Sequence, residues 1–194
     1  MDEFGSYTLR EVEVDLLTDA YRVSGTVRTR FDRMTDILNQ LTGLHLTVEQ
    51  ATISEHADPS ATVAAPSAVV ATSAILLFSA PGLTGDSSAE MRIAKRRVRA
   101  QLAIPPIRVT GTIHVSIGSR PTDGLLNASD RFLAMTDAVV SSGLFPELAR
   151  NLAAVAVSRD RAQVLLVADD ERPDELLADI LDEQTAEAWL RDDQ

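Results

Sequence analysis

The chain of 194 residues contains no cysteine. That excludes a disulfide framework, a thiolate metal site and a cysteine nucleophile. Long apolar runs are also missing. Stretches such as residues 74–78 (AILLF) fall far short of the roughly 20 residues a membrane helix needs. The first residues, MDEFGSYTLREVEV, carry acids where a secretory signal needs bases, and no apolar segment follows them. The expectation is a cytoplasmic protein. No G-x-S-x-G, phosphate-binding G-x-x-x-x-G-K-[ST] or dinucleotide-binding G-x-G-x-x-G stands in the chain. The three histidines, His45, His56 and His114, are scattered without metal-ligand spacing, so no metal or cofactor is expected.

What is present is charge at one end. Between residues 169 and 194 stand eleven acids against two arginines, which accounts for most of the net charge of −11. The remaining body is close to neutral. This balance argues against general attraction to nucleic acid or anionic lipid. A hydrophobic fraction of 45% is nevertheless enough for a real core.

The hydrophobic pattern has a period of two over most of the chain. Val12, Val14 and Leu16 alternate with Glu11, Glu13 and Asp15, as in a half-buried strand. Residues 21–31 alternate again, interrupted by Gly25, which marks a bulge or a close backbone approach. Thr35 and Asp36 precede Ile37 and Leu38, a pattern for a capped helix of about two turns ending near Thr42. Leu44, Leu46 and Val48 restart the strand pattern. Residues 56–66 are rich in Ala, Pro, Ser and Thr and read as a loop. Residues 69–78 read as a buried strand, or as two strands with a turn at Thr72. Residues 152–158 and 164–168 read as strands. Residues 173–190 place Leu176, Leu177, Ile180, Leu181 and Trp189 on one stripe of an amphipathic helix.

The chain also states itself twice. YRVSGTVRTRFDRMTDILNQ, from Tyr21, is echoed by IRVTGTIHVSIGSRPTDGLLNA, from Ile107. Gly25 and Gly111 stand 86 residues apart, and small insertions bring Arg33, Thr35 and Asp36 onto Arg120, Thr122 and Asp123. Two long copies suggest a pseudo-symmetric pair rather than a solenoid. The fold expected is α+β and strand-dominated: two β-β-α-β-β(-β) repeats forming small sheets or partly open barrels, followed by a C-terminal helix. The units would be residues 7–80, a linker at 81–95, residues 96–168, and the acidic segment 169–194.

Two sets of residues are candidates for function. Arg33 with Asp36, and Arg120 with Asp123, could hold an anion at a helix entrance. The plainer reading is that Asp caps the helix and Arg braces it. Glu11, Glu13 and Asp15 on the first strand meet Arg97, Arg99 and Gln101 at the matching positions of the second copy. Inverted charges of this kind suit strands that face each other across a partnership. The basic cluster Arg92, Lys95, Arg96, Arg97 and Arg99 could otherwise contact a nucleic-acid backbone, dock the acidic tail or guard a strand edge.

Residues 23–38 bear a superficial similarity to the first motif of Sm-like RNA-binding proteins, a glycine strand followed by an acid. Asp32 stands one residue too far from Gly25, and Thr35 occupies the place of the expected Asn. A closer resemblance is to small uncharacterised bacterial β-rich domains. It is carried by Gly111, Arg120, Thr122, Asp123, Leu126, Asn127, Asp137, Ala138 and Val140, with a looser match in the first copy. That resemblance implies no established activity. The function expected is a non-enzymatic interaction or regulatory module acting through self-association or a protein partner. A small-ligand or anion-binding domain and an Sm-like nucleic-acid binder are the alternatives.

Overall fold

Val12, Val14 and Leu16 are buried while Glu11 and Glu13 face solvent, so the first alternation becomes a strand, β1 (Arg10–Leu17). The computed structural model describes residues 9–83, 95–116 and 130–167. Within them follow β2 (Tyr21–Thr29), α1 (Met34–Asn39), β3 (His45–Glu55), β4 (Thr62–Ala71), β5 (Leu77–Ser79), β6 (Lys95–Ile104), β7 (Ile107–Ser116), β8 (Phe132–Ser141), β9 (Arg150–Ser158) and β10 (Val164–Val167). Short 3-10 turns at Thr72–Ala74 and Pro146–Leu148 precede β5 and β9. β6 and β7 are joined through Pro105 and Pro106, whose peptide bond is cis.

The strands form one ten-stranded sheet in the order β10-β6-β7-β8-β9-β5-β1-β2-β3-β4. Every neighbouring pair is antiparallel. This corrects the expectation of separate small sheets. The strand that joins the halves is β5, whose three residues are all buried. It pairs with β1 on one side and β9 on the other. Neighbouring residues of a strand point to opposite faces, and Leu77 packs in one core while Phe78 packs in the other. The two cores therefore lie on opposite faces of the sheet at this strand. One is built mainly from β6–β9, the other from β1–β4 and α1.

A short connection also bends the first half. Residues 72–76 carry the chain from β4, at one border of that half, to β5 at the other. In a flat sheet these strands would lie about 19 Å apart at ~4.8 Å per strand. The connection reaches only about 16 Å, because its 3-10 turn rises about 2 Å per residue. The half must curl over its core. Ile75 is fully buried in that core, and Leu76 in the other.

Three local expectations change. Residues 62–66 belong to β4 rather than to a loop. Pro66 is tolerated because it stands opposite Gln50, where the β3–β4 register skips a pair. The helix is six residues long, with Arg33 in the N-cap position and no side-chain capping bond. Asp36 sits in its first turn, favourably placed for the helix dipole but not capping it. The strands expected to face each other do not meet: β1 lies between β5 and β2, and β6 between β10 and β7. The inverted charges of Glu11, Glu13, Asp15, Arg97 and Arg99 are thus not partners across a strand pair.

Candidate functional site

The two bulges shape the outer surface of each half. Opposite Gly25, β3 has one extra residue, and opposite Gly111, β8 has one. Gln50 and Asp137 take up the extra length with φ of 50° and 51°. This left-handed backbone is sparsely populated for residues with a side chain. Around Asp137 the distortion opens a shallow depression bordered by Val139, Asn151 and Ala153.

Some of the charged residues fall into pairs between neighbouring strands. Arg28 sits between Glu11 at 3.2 Å and Glu49 at 3.3 Å. Arg97 bonds Asp137 at 2.9 Å, both well exposed. Glu13 and Arg99 are exposed. No side-chain hydrogen bond or ion pair joins Arg33 to Asp36 among the described residues. Arg92, Arg120 and Asp123 lie outside the described residues, as do Asn127 and the segment 169–194. Among the described residues no group of three or more His, Cys, Asp or Glu is placed to hold a metal ion. No described helix is long and apolar enough to cross a membrane.

His114, on β7, faces Arg97 across the β6–β7 register. Its Nε2 lies 3.0 Å from the Thr136 hydroxyl. Partial burial holds its imidazole below the ordinary value, helped by the charges of Arg97 and Lys95 and opposed by Asp137. A depressed histidine resists protonation in the folded state. Its contribution to stability is complete above the unfolded value of about 6.5 and is lost as pH falls through the lower folded value. His114→Gln removes this coupling. The melting temperature of the variant should fall less than that of the parent between about pH 7 and pH 5, as differential scanning fluorimetry would record.

Several polar contacts join the two halves. Arg150 of β9 donates from Nη1 to Asp15 of β1 at 2.8 Å, and Arg22 donates from Nε to the same carboxylate at 3.0 Å. The Nε and Nη2 of Arg150 are buried and make no hydrogen bond. Burial pulls this guanidinium below its ordinary value, while Asp15 pulls it back. Arg161 donates from Nη2 to both carboxylate oxygens of Asp19 at 2.7 Å, and from Nη1 to the Ser73 carbonyl at 3.3 Å. Asn39, at the end of α1, donates to the Phe132 carbonyl at 3.0 Å and accepts from the Phe132 N–H at 2.9 Å. His56 is buried and lies with its ring centroid 5.4 Å from that of Phe145. Its Nε2 donates to the Thr18 carbonyl at 3.0 Å.

Asp15→Asn should leave Arg150 half-buried without a counter-charge. Removing one partner of a fully buried pair costs about 3–5 kcal/mol, and partial exposure reduces that here to about 1–2 kcal/mol. The melting temperature should fall by about 2–8 °C.

No family model matches the chain, and neither a curated protein nor a solved structure matches it. Function is therefore argued from the surface itself. The sheet ends in two borders, β4 and β10, neither of which has a second strand partner among the described residues. β4 exposes Val63 and Val69, and β10 exposes Val164. The sequence pattern hides residues 62–66 of the first border because Ala and Pro dominate them, while residues 69–71 read as part of a strand. Asn39 ends α1 and bonds both backbone groups of Phe132, a contact across 93 residues that no local pattern signals.

Proposed function

We propose that the chain is a non-enzymatic interaction module, built as a tandem duplication, that acts through self-association or a protein partner. The observation that carries the reading is the pair of apolar sheet borders just described. An unpaired strand offers a row of N–H and C=O groups to another chain and is normally blunted by charge, proline or a cover. β4 carries a proline only at Pro66, leaving Ser67 to Ala71 without charge or proline. β10, VLLV, has no charge at all.

The duplication is supported by matched backbone geometry at a spacing of 87 residues. Thr72 N–H donates to the Leu44 carbonyl at 2.9 Å, and Arg159 N–H donates to the Arg131 carbonyl at 2.9 Å. Ile75 N–H donates to Thr72 at 3.3 Å, and Ala162 N–H donates to Arg159 at 3.1 Å. The bulge residues Gln50 and Asp137 keep the same spacing and nearly the same φ. On this reading β1–β5 and β6–β10 are equivalent units, and the R-x-T-D segments shape each unit rather than carry chemistry.

The test is the mass of the full chain by light scattering over a wide concentration range, with affinity capture from cells alongside. Association with itself or retention of a defined protein partner is the expected result. A monomer at every concentration that retains no partner would remove the reading.

A further inference from the structure

We propose that the contact between β9 and β5 inside the chain is repeated between chains, with β10 of a second copy adding to the β4 border of the first. The proposal rests on the self-association arm of the function proposed above and names its surface and its partner.

The internal seam is short and apolar. Leu77 stands opposite Val157, and Phe78 opposite Ala156. Ser158 N–H donates to the Leu76 carbonyl at 2.9 Å. All four paired side chains are fully buried. The strands that make this seam have counterparts in the two borders, β4 and β10, that lack a second strand partner among the described residues. β5 meets β1 through Leu77↔Leu17 and Phe78↔Leu16, and β10 meets β6 through Val164↔Ala103 and Leu165↔Leu102. Their entries agree as well: Leu76 N–H donates to Leu17 at 2.8 Å, and Gln163 N–H donates to Ala103 at 2.9 Å. β9 likewise matches β4, with Val157↔Leu133 answering Val70↔Leu46.

Carrying the seam over therefore fixes a register. Val164 of one copy would stand opposite Val70 of another, and Leu165 opposite Val69. Ala71 N–H would donate to the Gln163 carbonyl. Every side chain in that pairing is apolar, as in the internal seam. Val69 is 66% exposed and Val164 50% exposed, whereas their internal counterparts, Ala156 and Leu77, are covered. Pro66 spoils the border only on the far side of this register, away from residues 69–71.

The ion pairs that reinforce the internal seam are not duplicated. The positions matching Arg161 and Arg150 are Ala74 and Val63, and those matching Asp19 and Asp15 are Pro105 and Gln101. The contact between chains is thus the weaker of the two and depends on concentration. Because it uses two different surfaces, it continues from copy to copy until it closes.

Absence of cysteine makes the register testable. Val70→Cys and Val164→Cys are prepared in separate chains, mixed and oxidised. The mixed disulfide should form, and sedimentation of the parent should show a mass rising above 21.0 kDa with concentration. Val69→Lys, at an exposed position, should abolish that rise while circular dichroism and the unfolding midpoint stay unchanged. Disulfides only between identical chains would mean that like borders pair, and would overturn the proposal. Self-association untouched by Val69→Lys, with no mixed disulfide, would overturn this seam but leave the interaction module standing. A strictly monomeric parent would overturn the seam. The module reading would fall with it only if no protein partner is captured either.

Discussion

Gly25→Ala should be the most damaging single-atom change in the first half of the sheet. A Cβ at this position would lie 2.5 Å from the Glu49 carbonyl oxygen, 2.7 Å from a Val48 methyl and 3.2 Å from the Gln50 carbonyl oxygen. Two of these atoms are backbone, so no rotamer change relieves the clash. The β2–β3 ladder must open at the bulge. Overpacking of well-formed sites costs about 1–3 kcal/mol, and a backbone clash lies at or above the top of that range. Gly111→Ala meets the Thr136 oxygen at 2.9 Å and should cost less. Gly82→Ala meets nothing within 4 Å and should be close to neutral. Urea midpoints for the three variants should therefore rank Gly82, Gly111, Gly25 in order of increasing loss. A Gly25→Ala midpoint equal to that of Gly82→Ala would refute the close approach.

Several of the strands can be read from period two, because each has one buried face. β1, β2 and β3 alternate visibly, β6 and β7 read as strands through their match to β1 and β2, and Gly25 marks the place of the bulge that the structure contains. β4 reads as a loop over its first part, residues 62–66, because its border position removes the need for a strong apolar face. Only Val70 among its residues is buried. A shift of 87 residues points to it, since residues 65–71 then fall on residues 152–158, which read as a strand. The single sheet was not legible for a different reason. Its central strand, β5, is three residues long and carries no alternation, so nothing local says that it joins two halves.

The candidate residues fared according to range. Charges that pair with near neighbours, such as Glu11 with Arg28, look functional in a sequence because they are exposed and patterned, yet the structure gives each a local partner. Contacts across the halves, Arg150 with Asp15 and Arg161 with Asp19, span 135 and 142 residues. No spacing rule reaches that far. In the described first half, Gly25 admits a bulge and the short helix α1 ends in Asn39.

That asparagine is the second site of large expected effect. Asn39→Ala removes a donor to the Phe132 carbonyl and an acceptor for the Phe132 N–H together. Phe132 is buried, so water has little access to the groups released. Each buried polar group left without a partner costs about 1–3 kcal/mol, so the pair should cost about 2–4 kcal/mol. For a chain of this length the melting temperature should drop by roughly 4–16 °C. Asn39→Asp separates the two bonds. Its carboxylate still accepts from the Phe132 N–H but opposes the Phe132 carbonyl, so above pH 5 its loss should equal or exceed that of alanine. Below the carboxyl's own pKa, where the acid can donate, part of that loss should return. Amide exchange at Phe132 should accelerate in Asn39→Ala well beyond that at Val48, which lies inside the first core. If the alanine variant loses under ~0.5 kcal/mol and Phe132 exchange is unchanged, α1 does not tie the first half to β8.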